Sequence, residues 1–120
     1  MTAFSESFPI LSTPDLARAL AFYRDAMGSR ETYRFPTEGE PAFVVVELPS
    51  GQLGLAADPD AGRGGPFALC VYADDCDAAV AHLRRHGARV LTGPADQPWG
   101  ERMARLADPD GNEIVLVSRT

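Results

Sequence analysis

The chain has 120 residues, of which 45% are hydrophobic and 23% charged, and its formal net charge is −6 at pH 7. This length and composition suit one domain, or two small repeats with a common core, and exclude a chain that is disordered throughout. The acidic balance opposes nucleic-acid binding through a general basic surface and favours a cationic small molecule as partner. Without an apolar run of roughly 20 residues or a signal peptide, no membrane association and a cytoplasmic location are expected.

The first part of the chain predicts a strand, a helix and three further strands. Residues 8–12 form an apolar strand in which Pro9 suits the edge of a sheet, because proline cannot donate to a ladder. A helix follows, with Thr13 as its expected cap and Gly28 as its expected end. Three β-branched or alternating segments complete this half as strands: residues 30–36, 42–48 and 52–57.

After a Gly- and Pro-rich linker over residues 59–66, the same order of elements returns. A strand covers residues 67–72, and a helix opens at Asp74 or Asp75 and ends at Gly87. Three short strands complete this half, separated by a loop over 92–98 and a turn over 108–112: residues 88–91, 102–106 and 113–117.

The two halves, 1–58 and 67–120, are related by an internal repeat. Identical residues recur at an offset of 60, including the pairs Asp15/Asp75, Ala19/Ala79, Pro49/Pro109 and Gly51/Gly111. Each half therefore predicts one βαβββ module, and one module alone cannot bury both faces of its sheet. The predicted fold class is α+β, with two tandem modules that form curved sheets around a ligand-sized cup.

A βαβββ module repeated twice resembles the vicinal oxygen chelate superfamily, which includes glyoxalase I, extradiol dioxygenases and bleomycin-resistance proteins. The segments Pro14–Tyr23 and Asp108–Asn112 are typical of it. The resemblance implies that catalytic members hold a divalent metal through side chains at four positions, which here are Phe8, Leu55, Ala68 and Val115. None of these side chains has a nitrogen, oxygen or sulfur donor, so no metal and no cofactor are expected.

Within the superfamily, Phe8–Leu11 and especially Asp96–Arg102 resemble the metal-free bleomycin-resistance proteins. This resemblance implies a homodimer that sequesters a cationic antibiotic in interfacial grooves without chemistry, with Trp99 stacking on the drug. Cys70 and Tyr72 stand where that family carries a further tryptophan, and Ala56 stands where it carries a groove serine. These departures oppose bleomycin itself as the ligand and leave another planar, aromatic or cationic antibiotic.

The predicted ligand-binding residues are aromatic or small side chains expected to line the cup. Trp99 is favoured over a purely structural anchor because Pro98 and Gly100 frame its loop, and a rigid indole gives a large stacking area. For the phenylalanines, core packing is as good an interpretation as ligand contact. The full predicted set is Trp99, Phe35, Phe43, Ala56, Ala68, Cys70, Tyr72 and Val115.

Charged candidates and other functions stay open. Asp96, Glu101 and Glu47 could attract a cation, whereas His82 and His86 at i, i+4 spacing are expected to be solvated rather than metal-bound. The alternative function is a glyoxalase- or dioxygenase-type lyase or isomerase that acts on a small metabolite. A metal-free enzyme with a carboxylate base, or a ligand-sensing domain, is a further option.

Overall fold

The structure is a computed structural model that describes residues 8–62, 64–65 and 68–119. The chain divides into two compact units, with the boundary between Ala61 and Gly62. Each unit holds one four-stranded sheet and one helical segment, so the predicted α+β class with two tandem modules is confirmed. Neither helical segment in the described part of the chain has the length and apolar character that crossing a membrane requires.

The first unit has the strands β1 (Ile10–Thr13), β2 (Arg30–Phe35), β3 (Phe43–Leu48) and β4 (Gly51–Ala57). They form one sheet in the order β1-β4-β3-β2. β1 runs parallel to β4, and the other neighbours are antiparallel. β1 lies at one edge, as Pro9 predicts, and the Pro9 carbonyl accepts a hydrogen bond from the Gly54 amide at 2.9 Å.

The N-cap of the helical segment of the first unit lies two residues later than predicted. Asp15, not Thr13, is the N-cap, and its carboxylate accepts from the Arg18 amide at 3.0 Å. The Thr13 hydroxyl instead accepts a hydrogen bond from the Asp15 amide at 3.1 Å, and this bond holds Asp15 in place as the cap. The segment runs as α1 (Leu16–Leu20) and continues as a π-helical stretch (Ala21–Ala26).

One face of the first sheet packs against this helical segment. Leu11, Leu55 and Val44 are neighbours in the ladder and are buried, and α1 contacts β4. Because side chains alternate along a strand, the residues between them point to the opposite face. We call this opposite side the helix-free face of the first sheet.

The second unit has the strands β5 (Ala68–Tyr72), β6 (Arg89–Asp96), β7 (Glu101–Ala107) and β8 (Glu113–Arg119). They form a sheet in the equivalent order β5-β8-β7-β6, with β5 parallel to β8. Its helix α2 (Cys76–Arg85) is capped by Asp75, whose carboxylate accepts from the Ala78 amide at 3.1 Å. Ile114, Leu116 and Leu106 are buried on the helix side, and the other side is the helix-free face of the second sheet.

The last predicted loop is mostly strand. The sequence predicts a strand over 88–91 and a loop over 92–98, whereas β6 extends from Arg89 to Asp96. Its pairing with β7 is irregular after Val90 and again after Thr92. Because β6 is an edge strand, these irregularities accommodate Gly93 and Pro94, the two residues that suggested a loop.

The two β-hairpins that close the modules differ by one residue. Val44 pairs with Leu55 across ten intervening residues, whereas their counterparts Ala104 and Leu116 pair across eleven. The offset of 60 that relates β3 to β7 therefore becomes 61 between β4 and β8. The structural counterpart of Val115 is consequently Gly54, and Leu55 corresponds to a residue on the helix side.

Candidate functional site

Three predicted ligand-binding residues form one row across the helix-free face of the first sheet. Phe35 pairs with Phe43, and Phe43 pairs with Ala56 on the next strand. Phe35 is 59% exposed, and the Tyr33 ring contacts the Phe43 ring edge-on at a centroid distance of 6.1 Å. The row is therefore an aromatic surface, to which Tyr33 adds a ring that the sequence analysis did not select.

Gly54 lets the Phe43 ring lie close to the backbone of this face. A Cβ atom built on Gly54 would stand 3.0 Å from two atoms of the Phe43 ring and 3.0 Å from Cγ1 of Ile10. These distances are shorter than ordinary carbon contacts of about 3.5–4.0 Å. Gly54 therefore supplies space for an aromatic side chain, which is a packing reason for glycine inside a strand.

One end of the same face is polar. Glu47 accepts from the Arg30 guanidinium at 3.2 Å and from the Gln52 side-chain amide at 3.1 Å. Glu47 was a candidate for attracting a cationic ligand, but in the structure its carboxylate already has two partners. Both are polar side chains of neighbouring strands, so Glu47 serves the ladder of its own sheet.

The second sheet brings together the predicted residues of β5 and β8. Ala68, Cys70 and Tyr72 are exposed on its helix-free face, and Val115 pairs with Cys70. Burial, followed by the nearby charge of Glu101, raises the pKa of the Cys70 thiol. Cys70 is therefore a lining residue with little thiolate at neutral pH rather than an activated nucleophile.

Trp99 and Tyr72 are joined by one carboxylate. Glu101 accepts from the indole Nε1–H of Trp99 at 2.9 Å and from the Tyr72 hydroxyl at 2.9 Å, through different oxygens. The hydrogen bond to Glu101 raises the pKa of Tyr72. Trp99 nevertheless stays 62% exposed and Tyr72 46% exposed. The two aromatic side chains are thus held at their polar ends while much of their surface faces solvent.

Arg119 completes this cluster, and sequence reasoning missed it. Its guanidinium carbon lies 4.0 Å from the centroid of the Tyr72 ring, and Arg119 is the ladder partner of Glu101. The last strand was predicted to end at Val117, which left Arg119 outside it. The alternation through Val115 and Val117 was the signal that could have placed Arg119 on the same face.

The residues at the metal positions of the fold family do not fit a metal. Phe8, Ala68 and Val115 have hydrocarbon side chains, and Leu55 is only 1% exposed on the helix side. The assignment of Leu55 to a metal position is therefore wrong, because the second hairpin is one residue longer than the first. Its replacement at that position, Gly54, has no donor side chain either.

The other side chains that could ligate a metal do not form a metal site. Glu113, the ladder partner of Ala68, accepts twice from Arg105, and this ion pair lowers the pKa of Glu113. The ring centroids of His82, on α2, and His86, the residue that caps the C-terminal end of α2, lie 4.7 Å apart. Within residues 8–62, 64–65 and 68–119, no group of three or more His, Cys, Asp or Glu side chains is arranged to hold a metal ion.

The hydrogen bond of Asp96, the remaining acidic candidate, joins it to Arg102 and not to the cluster around Trp99. It accepts from Arg102 at 3.1 Å, and the same guanidinium binds Asp77 of α2 at 2.6 Å. The hydrogen bond from Arg102 lowers the pKa of Asp77. Arg102 therefore ties β7 to the helix, and Asp96 shares in that structural contact.

The first unit also has a groove beside its helical segment, which the sequence did not predict. Its volume is about 430 Å³, and it is lined by apolar residues together with Asp15, Arg24, Arg34 and Glu40. Arg24 and Arg34 both donate to Glu31, at 3.0 and 2.9 Å. These hydrogen bonds, that from Arg34 first, lower the pKa of Glu31.

Comparison with curated proteins finds relatives that include an uncharacterized protein and a putative glyoxylase. The chain is 28% identical over 120 residues to the uncharacterized protein Mb0911c of Mycobacterium bovis, covering 90% of this chain and 79% of that protein. It is 34% identical over 100 residues to the putative glyoxylase CFP32 of the same species. That match covers 82% of this chain and 37% of CFP32.

Solved structures share the fold over almost the whole chain. A superfamily member from Sphaerobacter thermophilus superposes with a TM-score of 0.77 at 25% identity, covering 97% of this chain and 98% of that one. A bleomycin-binding protein in complex with bleomycin gives a TM-score of 0.70 at 23% identity, covering 98% of this chain and 100% of that one. A family model matches residues 7–116. The chain therefore belongs to the Glyoxalase/Bleomycin resistance protein/Dioxygenase superfamily.

Proposed function

We propose that the protein binds a planar aromatic small molecule at Trp99 and sequesters it without changing it chemically. The observation that carries the proposal is the state of Trp99, whose indole N–H is bonded to Glu101 while the side chain stays 62% exposed. A large apolar ring that is fixed at one end and exposed elsewhere loses little conformational freedom when a ligand stacks on it. Tyr72, bound to the same carboxylate, extends the surface.

The chemistry of the surrounding side chains supports binding over catalysis. The metal positions offer no donor atoms, and metal-dependent lyases, isomerases and dioxygenases of this superfamily need such atoms. The carboxylates beside the aromatic surfaces are bonded to arginine, tyrosine, tryptophan or glutamine side chains. These hydrogen bonds commit the carboxylate oxygens to neighbouring side chains, and among the described residues no carboxylate beside the aromatic surfaces is set apart as a general base.

The bleomycin-binding neighbour supports an antibiotic as the class of ligand. We propose that the protein acts as a homodimer with the site in a groove at its interface, and that it works in the cytoplasm. The alternative is a metabolite-converting enzyme, which the name of the putative glyoxylase CFP32 supports. The two functions differ in whether the bound molecule is recovered unchanged.

The test is a titration of the purified protein with bleomycin and with planar aromatic antibiotics. Trp99 is the only tryptophan, so a change in its emission reports directly on this site. Calorimetry then compares Trp99→Ala with the wild type for any compound that binds. Loss of one stacking ring weakens binding by about 1–3 kcal/mol, which is roughly fivefold to 150-fold.

A matched control separates stacking from general loss of apolar surface. Leu91, on β6, is also an exposed apolar side chain, and Leu91→Ala is expected to leave the affinity within about twofold of the wild type. Recovery of the compound unchanged after long incubation supports sequestration. Tight binding of a neutral aliphatic metabolite that leaves Trp99 emission constant, or its conversion to a product, would refute the proposal.

A further inference from the structure

We propose that the aromatic ligand of this site carries a carboxylate group, which binds the guanidinium of Arg119. This inference rests on the proposed function, since it names the class of molecule that stacks at Trp99. It departs from the cationic ligand that the net charge of −6 favours. The argument comes from the charges within reach of Trp99 and Tyr72 rather than from the charge of the whole chain.

The first step is that the Arg119 side chain packs against a ring but has no hydrogen-bonded partner among the described residues. Its guanidinium lies 4.0 Å from the Tyr72 ring centroid, and within the described residues no hydrogen bond or ion pair to this guanidinium is found. An arginine side chain has five N–H donors in one plane, in a fork that matches a carboxylate. The contact with Tyr72 restricts the side chain and leaves these donors available.

The second step is that the natural internal partner of Arg119 is used elsewhere. Glu101 faces Arg119 across the β7–β8 ladder, and opposite charges at such positions normally pair. Both oxygens of Glu101 instead accept from Trp99 and Tyr72, each at 2.9 Å. The carboxylate thus organises the two aromatic side chains, and in the part of the chain that the structure describes the Arg119 guanidinium donates no hydrogen bond to it.

The third step concerns the sign of the charge that the site can accept. A cationic group stacked on Tyr72 would have to displace Arg119 or lie beside it, and like charges at this distance repel. A carboxylate in the same place gains charge-assisted hydrogen bonds from Arg119. A ligand with its ring at Trp99 and its carboxylate at Arg119 satisfies both features at once.

The experiment compares three ligands that share one ring system and differ in charge. Calorimetry measures the binding of 2-naphthoate, 2-naphthalenemethanol and 2-naphthylmethylamine to the full chain. We expect 2-naphthoate to bind at least tenfold more tightly than the alcohol, and the amine to bind most weakly. Added salt should weaken the naphthoate complex and leave the alcohol complex nearly unchanged.

Two variants test whether Arg119 causes this preference. Arg119→Gln should make the affinities for 2-naphthoate and the alcohol equal, whereas Arg119→Lys, a point charge without the planar fork, should retain part of the difference. Thermal melting checks that both variants are folded, which is expected because Arg119 is exposed.

The outcomes separate this inference from the proposed function. If all three compounds bind alike, and Trp99→Ala weakens all of them, the aromatic site stands and the role of Arg119 is refuted. Tightest binding of the amine, strengthened by Arg119→Gln, would mean that Arg119 competes with a cationic ligand and would also refute it. Binding of none of the three would count against the aromatic site itself.

Discussion

Gly54→Ala tests whether the aromatic surface of the first sheet is built as the structure describes it. The added methyl group would meet the Phe43 ring and Ile10 at 3.0 Å, so at least one of these side chains must move. Overpacking of this kind typically costs about 1–3 kcal/mol. Replacing glycine by alanine also restricts the unfolded chain, which returns about 0.4–1 kcal/mol. We therefore expect a net loss of about 0.5–2 kcal/mol in the free energy of unfolding.

A double-mutant cycle identifies the cause of that loss. In a Phe43→Ala background the aromatic ring is absent, so Gly54→Ala should cost about 1 kcal/mol less than in the wild type. Gly51→Ala is the matched control, because within the described residues no atom lies within 4 Å of a Cβ built there. Gly51 begins the same strand, and its replacement should be neutral or slightly stabilising.

Urea unfolding followed by circular dichroism measures all of these free energies, provided that the slope with denaturant stays constant among the variants. The decisive quantity is the coupling between positions 54 and 43. If Gly54→Ala changes stability equally with and without the Phe43 ring, the close approach of that ring to the β4 backbone is not what requires glycine. The placement of Phe43 on the helix-free face would then have to be abandoned.

Three further predictions follow from the metal positions, the predicted assembly and the carboxylate beside α1. Treatment with EDTA should leave the melting temperature unchanged, because the metal positions lack donor atoms and no metal-binding energy is expected to support the fold; nearly equimolar zinc, nickel or iron in the purified protein would contradict this. Sedimentation should give a homodimer that buries exposed apolar surface, and a monomer at micromolar concentration that binds no hydrophobic dye would contradict it. Arg34 and Arg24 hold the pKa of Glu31 below its usual 4.5, so its ion pairs stabilise the fold above that pH and lose this effect as the pH falls through the lowered value. Glu31→Gln should therefore lower the melting temperature more at pH 7 than in acid below the usual pKa of a glutamate, and an equal loss at both would rule out the charge as the cause.

Most of the secondary structure could be predicted from the sequence because its signals are local. Helical spacing, caps and β-branched runs located the eight strands and two helical segments found in the described residues. The misplaced boundaries have local causes as well. Gly93 and Pro94 resemble a loop, yet an irregular edge strand accommodates them, and Thr13 resembles an N-cap although Asp15 performs that role.

The positions across the strands could be predicted less well, because register depends on turn length. Counting from the glycines of the two turns puts Leu55 and Val115 at equivalent places, but the second hairpin has one extra residue. A shift of one residue moves a side chain to the opposite face of a sheet. Leu55 therefore lies in the core, while Val115 lies beside Cys70 on the helix-free face.

The choice of ligand charge depends on the distance over which a charge acts. The net charge of −6 describes the field of the whole chain, which salt screens over about 8–10 Å. A group stacked on Tyr72 instead meets Glu101, 2.9 Å from the Tyr72 hydroxyl, and Arg119, 4.0 Å from the ring centroid. The hydrogen bond between Tyr72 and Glu101 joins residues 29 positions apart, so no local pattern could reveal that this carboxylate is already engaged. Arg119 lies against the Tyr72 ring and has no hydrogen-bonded partner among the described residues, so it favours an anionic ligand even though the protein is acidic.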